Sequence, residues 1–152
     1  MAAVEQRLAE LGLTVPAVAA PVADYVPALR TGAYVYTSGQ LPFVDGELAV
    51  TGTVGAGVSL DDAASAARQC ALNAIAAVAS QVDLDEVVRV VKVVVFVASD
   101  PAFTDQPKVA NGASELIGQA FGEAGRHVRS AVGVAALPLG SPVEVEIVVE
   151  VG

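Results

Sequence analysis

Tryptophan is absent from the 152 residues, and cysteine and histidine occur once each. A lone Cys70 excludes an intrachain disulfide framework and a cysteine-based zinc site. A single histidine argues against a catalytic metal held by one chain, and it leaves His127 as the sole imidazole for any Ser-His-Asp arrangement. The Gly-x-Ser-x-Gly elbow, the phosphate-cradling Gly-x-x-x-x-Gly-Lys loop and the Gly-x-Gly-x-x-Gly fingerprint are all missing. Cations are scarce, with 8 Lys and Arg against 17 Asp and Glu and a formal charge of −9. That balance repels phosphate backbones, and no Lys/Arg cluster marks a basic groove, so nucleic acid is not an expected partner. The N-terminus has no basic segment leading into an apolar run. The strongly apolar stretch Val87–Val97 is broken by Arg89 and Lys92 and is too short to cross a bilayer. A soluble, cytoplasmic protein without a membrane partner is expected.

What is abundant is alanine and valine. Apolar residues make up 54% of the chain while aromatics make up only 5%. Small and β-branched side chains suit thin layers in which helices lie close on a sheet. The apolar share exceeds the roughly 45–50% of ordinary globular chains, which points to apolar surface buried between subunits. The length fits one domain with a real core.

Val4–Leu11 has the stripe of a short amphipathic helix, and Pro16 and Pro21 make the following stretch an extended connector. Tyr25–Leu29 and Ala33–Ser38 read as strands of a hairpin turning at Gly32, and a weak strand falls near Leu48–Val50. Ser59 caps a long helix running to about Val82, with Ala64, Ala67, Ala71, Ala74 and Ile75 recurring at helical spacing. Its alanine stripe implies close packing. Val87–Val97 reads as a central strand buried on both faces. Asp105–Phe121 is a second long helix, in which Gly112 indicates close backbone packing. Val128–Ala135 and Val143–Val151 close the chain as a strand pair joined by the turn at 137–142. The order predicts an α+β fold, with two long helices packed on one face of a mixed sheet.

Few groups are left to carry chemistry. Cys70 sits among alanines and reads as an inert buried thiol. His127 reads as a polar residue on the surface at a strand edge. An antiparallel pairing of the last two strands would set Arg129 and Glu144 on neighbouring strands. From the residues alone a salt bridge is the simpler reading of that pair. The functional one makes Arg129 a bidentate clamp for a substrate carboxylate and Glu144 the group that handles a water or a proton.

Tyr25, Tyr36-Thr37-Ser38-Gly39-Gln40-Leu41-Pro42, Val95-Phe96-Val97, Asn111, Arg129-Ser130-Ala131-Val132, Leu137-Pro138 and Val143-Glu144-Val145-Glu146 occur in an order that resembles the Rid family. These are the YjgF-like reactive-intermediate deaminases, some of them long described as endoribonucleases. The resemblance implies a chorismate-mutase-like fold for 25–152, preceded by an N-terminal helix and connector in 1–24. It also implies a homotrimer with clefts between subunits. The implied activity is hydrolysis of enamines and 2-imino acids, such as 2-iminopropionate, to 2-keto acids and ammonia, without metal or organic cofactor. By resemblance Arg129 and Glu144 are catalytic, Tyr25, Ser38, Gly39 and Asn111 bind substrate, and Glu146 is structural. Ala131 stands where many deaminases carry cysteine, and the added N-terminal helix and longer 101–108 connection resemble a long-form subgroup. The alternatives are a non-catalytic protein that binds small carboxylates in the same cleft, and an endoribonuclease.

Overall fold

A computed structural model describes residues 3–21 and 23–152; Met1, Ala2 and Val22, part of the expected N-terminal segment and connector, lie outside the described residues. The elements in order are α1 (Ala3–Glu10), β1 (Ala28–Thr31), β2 (Tyr34–Thr37), β3 (Phe43–Val44), β4 (Glu47–Leu48), β5 (Thr53–Val54), β6 (Gly57–Val58), α2 (Leu60–Ala79), β7 (Val87–Ala98), α3 (Gln106–Phe121), β8 (Val128–Val134) and β9 (Val143–Val151). The principal sheet runs β1-β2-β9-β7-β8, and β3–β4 and β5–β6 form small two-stranded pairs. The α+β architecture with a mixed sheet is therefore the expected one. The first strand starts later than its apolar residues suggest, at Ala28, and the weak strand lies at Glu47–Leu48, paired with Phe43–Val44.

Ser59 caps α2, its side chain accepting a hydrogen bond from the Asp62 backbone N–H at 3.1 Å. Ala63, Ala67, Cys70, Ala71, Ala74 and Ile75 of α2 are fully buried, as are Val109, Ala113, Leu116, Ile117 and Ala120 of α3. Both helices cover the face of the sheet to which Val93, Val95, Val97, Val145, Ile147 and Val149 point. Helix α1 joins the same core through Val4 and Leu8. Burying side chains of that size contributes roughly 1.5–3 kcal/mol each, enough to hold a short helix that would not persist alone.

Two expectations are corrected. Strand β7 is buried on its helix-facing side only; Lys92 is exposed and Val94 and Phe96 are half-buried on the other. The last two strands are not a hairpin. Helix α3 carries the chain across the sheet, so β8 pairs parallel to β7 at the sheet edge, and β9 returns antiparallel on the far side of β7, between β7 and β2. Local alternation in the sequence reports which residues share a face, but it is silent about which strand is the neighbour.

The two long helices touch backbone to backbone. A Cβ on Gly112 would collide with the Ala64 carbonyl of α2. Replacing an interior helical glycine by alanine ordinarily gains up to about 1 kcal/mol, whereas overpacking costs about 1–3 kcal/mol. The obstacle here is rigid backbone, so the cost should dominate. Gly112→Ala is expected to lower the melting temperature by a few degrees, each 1 kcal/mol being worth roughly 2–4 °C at this size. An unchanged or raised melting temperature would mean that the helices are not in such contact.

Candidate active site

The residues expected to form one site separate into two groups. Register places Arg129 opposite Val93 and Glu144 opposite Phe96. Since Val93 faces the helices and Phe96 faces away, Arg129 and Glu144 lie on opposite faces of the sheet with β7 between them. They form no salt bridge: the ion pairs among the described residues are Lys108–Asp105 and Arg126–Glu123.

The first group sits at the edge strand. Arg129 Nη1 donates to Asn111 Oδ1 at 2.9 Å and to Ser114 Oγ at 3.1 Å. Asn111 and Ser114 are three residues apart, which places both on one face of α3, and the Gly112 contact sets how low α3 lies. His127, expected at the surface, is instead half-buried and engaged at both ring nitrogens. Nε2 lies 2.9 Å from Ser114 Oγ and Nδ1 lies 2.6 Å from the Gly125 carbonyl oxygen. Ser114 and His127 are additions to the expected set. The signals that mark them are the i, i+3 spacing from Asn111 and the shared strand parity of 127 and 129.

The second group surrounds Glu144. A small pocket is lined by Tyr25, Pro27, Gly39, Gln40, Pro138 and Glu144, among others. The pocket forms because the chain after β2 stays beside β9: the Gln40 and Val145 backbones exchange hydrogen bonds at 2.8 and 3.0 Å. The Thr37 hydroxyl accepts from the Ile147 N–H at 3.0 Å. Gly39 is needed there, because a Cβ would collide with the Glu144 carboxylate. Ser38 anchors the same turn, its hydroxyl donating to the Val26 carbonyl at 2.6 Å. The cavity measures about 40 Å³. A water needs roughly 10–15 Å³ on such a measure, so this wall alone admits waters rather than a whole substrate.

Burial raises the Glu144 carboxyl above its ordinary value, and the neighbouring Glu146 adds to the rise. Cys70 is buried and its thiol is pushed well above the ordinary value, first by desolvation and then by Glu144. That fits the inert thiol expected from sequence. Among the described residues no group of His, Cys, Asp or Glu could hold a metal ion. A separate cavity of about 450 Å³ lies between the 16–20 connector and the β3–β4 hairpin. Its amides are already engaged: Asn73 Nδ2 donates to the Leu41 and Phe43 carbonyls, and Gln69 Nε2 donates to Asn73 Oδ1. Among the described residues no helix is long and apolar enough to cross a membrane.

Fold and site together define a small mixed-sheet protein with a guanidinium on one face that pairs with no carboxylate among the described residues, and a perturbed carboxyl on the other. The family described as "YjgF/chorismate mutase-like, putative endoribonuclease" matches residues 5–151, and the chain belongs to it. Protein TCP17 of Trypanosoma cruzi is 48% identical over 149 residues, covering 97% of this chain and 93% of that protein. The crystal structure of Atu1372 from Agrobacterium tumefaciens is similar with a TM-score of 0.90 and 45% identity, over 99% of this chain and 93% of that one. E. coli TdcF with bound serine is similar with a TM-score of 0.62 and 26% identity, over 91% and 96% of the two chains.

The raised Glu144 carboxyl has a consequence for stability. The folded chain keeps this proton to a higher pH than the unfolded chain, whose glutamate titrates near 4.5. Between those two values the folded state binds more protons, so stability falls as pH rises, and the full penalty applies above both. Glu144→Gln should therefore be at least as stable as wild type at pH 7 and lose stability less steeply above pH 4.5. Melting curves from pH 4.5 to 7 test this, and parallel curves for the two proteins would contradict it.

Proposed function

We propose that the protein is a homotrimeric hydrolase that converts 2-imino acids, such as 2-iminopropionate, to 2-keto acids and ammonia. The observation that carries this reading is the division of the site. A guanidinium with no carboxylate partner among the described residues stands on one sheet face, and a half-buried carboxyl with a raised pKa stands on the other. Neither half suffices, so the complete site needs a second copy. The open sheet face supports one. Leu29, Tyr34, Tyr36, Val128 and Val132 are exposed on it, and an uncovered apolar face of that extent is characteristic of an interface. In the trimer, Arg129 of one subunit meets Glu144 of the next.

The chemistry asks little of the protein. Nη1 of Arg129 is occupied by Asn111 and Ser114, leaving Nε and Nη2 for the substrate carboxylate, a planar match that a lysine would not provide. The imine carbon is already electrophilic. Glu144 takes a proton from water as the C–O bond forms, then delivers it to nitrogen. The remaining hydroxyl proton passes to the nitrogen as the C–N bond breaks, so that the carbonyl forms and ammonia leaves. A carboxyl with a raised pKa suits both transfers near neutrality. No electron changes hands, so the reaction calls for no cofactor. Tyr25 and Gly39 wall the Glu144 side, and Ser38 anchors the turn that carries Gly39. Serine bound to TdcF supports a site sized for a small amino-acid skeleton.

Endoribonuclease activity, named in the family description, is disfavoured by the charge of −9. It would be supported by RNA cleavage that follows the protein and disappears in Arg129→Ala. For the deaminase reading, wild type should shorten the lifetime of freshly generated 2-iminopropionate. Arg129→Ala should reduce kcat/KM by at least about 100-fold. If wild type leaves the imine's lifetime unchanged, the reading is wrong.

Composite sites predict complementation. Arg129→Ala and Glu144→Gln subunits, each inactive alone, are refolded together in equal amounts. Each interface then has one chance in two of an intact Arg129 and one in two of an intact Glu144, so activity should recover to about a quarter of wild type. A site contained in one chain would give no recovery.

A further inference from the structure

We propose that Ser114 and His127 are positioning residues that hold the Arg129 guanidinium ready for an anionic ligand. The proposal rests on the reading of Arg129 as the carboxylate clamp. An arginine on an edge strand ordinarily samples many rotamers, and binding must then restrict them. Here the side chain is held beforehand. With a neutral imidazole, the direction of every proton in the chain of contacts follows from its far end. The Gly125 carbonyl can only accept, so Nδ1, 2.6 Å away, carries the ring proton. In the neutral ring Nε2 is then an acceptor, and the hydroxyl of Ser114, 2.9 Å away, donates to it. That turns a lone pair of Ser114 Oγ toward Arg129 Nη1 at 3.1 Å.

The anchor itself cannot drift. Gly125 lies against α3 so closely that a Cβ would come within 2.6 Å of the Ile117 carbonyl oxygen. Both ends of the relay, Ser114 and the Gly125 contact, are thus tied to one helix. Without His127, the Ser114 hydroxyl would turn to a carbonyl one helical turn back, as mid-helix serines commonly do. Arg129 would then lose one of its two holders. Because neither Asn111 nor Ser114 carries a negative charge, the guanidinium is oriented without being neutralised.

The test uses the full-length protein and compares Ser114→Ala, His127→Phe, Ser114→Thr and Arg129→Ala. Readouts are KM and kcat for 2-iminopropionate, Kd for pyruvate by calorimetry, and melting temperature. Ser114→Ala and His127→Phe should each raise KM and Kd about tenfold, the scale of losing one hydrogen bond to a charged group. They should leave kcat within about twofold, as expected when ground-state binding is lost. Ser114→Thr, which keeps the hydroxyl, should stay near wild type. The proposal is overturned if KM and Kd stay at wild-type values in Ser114→Ala and His127→Phe while Arg129→Ala loses both. It is equally overturned if these variants lose kcat and melting temperature together, the mark of a merely structural role. If wild type turns over no imine yet binds pyruvate through Arg129, the deaminase reading fails and the Kd series alone decides the positioning role. If it neither reacts nor binds, Arg129 is no clamp and both fall.

Discussion

The bare backbone contact between α2 and α3 is the constraint from which the site's geometry follows. Helix α2 presents alanines where most helices present leucines, and α3 answers with Gly112 at the closest approach to Ala64. Small side chains bury little area each, so such a pair gains its cohesion from dense packing and short interhelical distance rather than from large residues. The distance in turn decides where α3 lies over the sheet edge. Asn111 and Ser114 bracket the contact, and they are the residues that reach Arg129. A bulkier interface would raise α3 and leave the guanidinium unheld.

Topology supplies the second constraint. A crossover through α3 makes β8 parallel to β7 and sends it to the edge, and β9 pairs on the far side of β7. The strand between them also fixes parity, and Arg129 and Glu144 end on opposite faces. The same arrangement leaves the sheet's second face without a helix. The excess of apolar residues therefore has a definite location, on an uncovered face carrying Leu29, Tyr34, Tyr36, Val128 and Val132.

Much of this was legible in the residues because it is local. The Ser59 cap, the helical recurrence of Ala67, Ala71 and Ala74, and the alternation of Val143, Val145, Ile147 and Val149 each fix an element within a few positions. Gly112 inside a helical pattern points to close packing without naming its partner. Pairing was not legible, because the 137–142 connection is short enough for a hairpin and nothing nearby reveals that β7 intervenes. His127 was misread for a related reason. Its partners, Ser114 and the Gly125 carbonyl, meet it only because the short turn at Gly122–Gly125 folds back against α3. The candidate residues themselves stand in two coherent groups, Arg129 with Asn111 and Glu144 with Tyr25, Ser38 and Gly39.

That separation resolves an electrostatic difficulty. A carboxylate ligand is repelled by a chain of charge −9 and needs at least one cation whose charge is not already spent. An arginine held by aspartate or glutamate would be well oriented but largely neutralised. Arg129 is held by an amide and a hydroxyl, which orient it through their dipoles and leave its charge for the ligand. The acid faces the opposite problem, because an ionised Glu144 close to a bound carboxylate would push it away. Burial and the neighbouring Glu146 make its carboxylate a stronger base than an ordinary glutamate, so the charge that opposes the ligand is the one that takes the proton from water in the proposed reaction. Were the two groups adjacent in one chain, they would pair with each other, depressing the acid's pKa and consuming the cation. Placing β7 between them keeps each available, which is the condition that the proposed composite site requires.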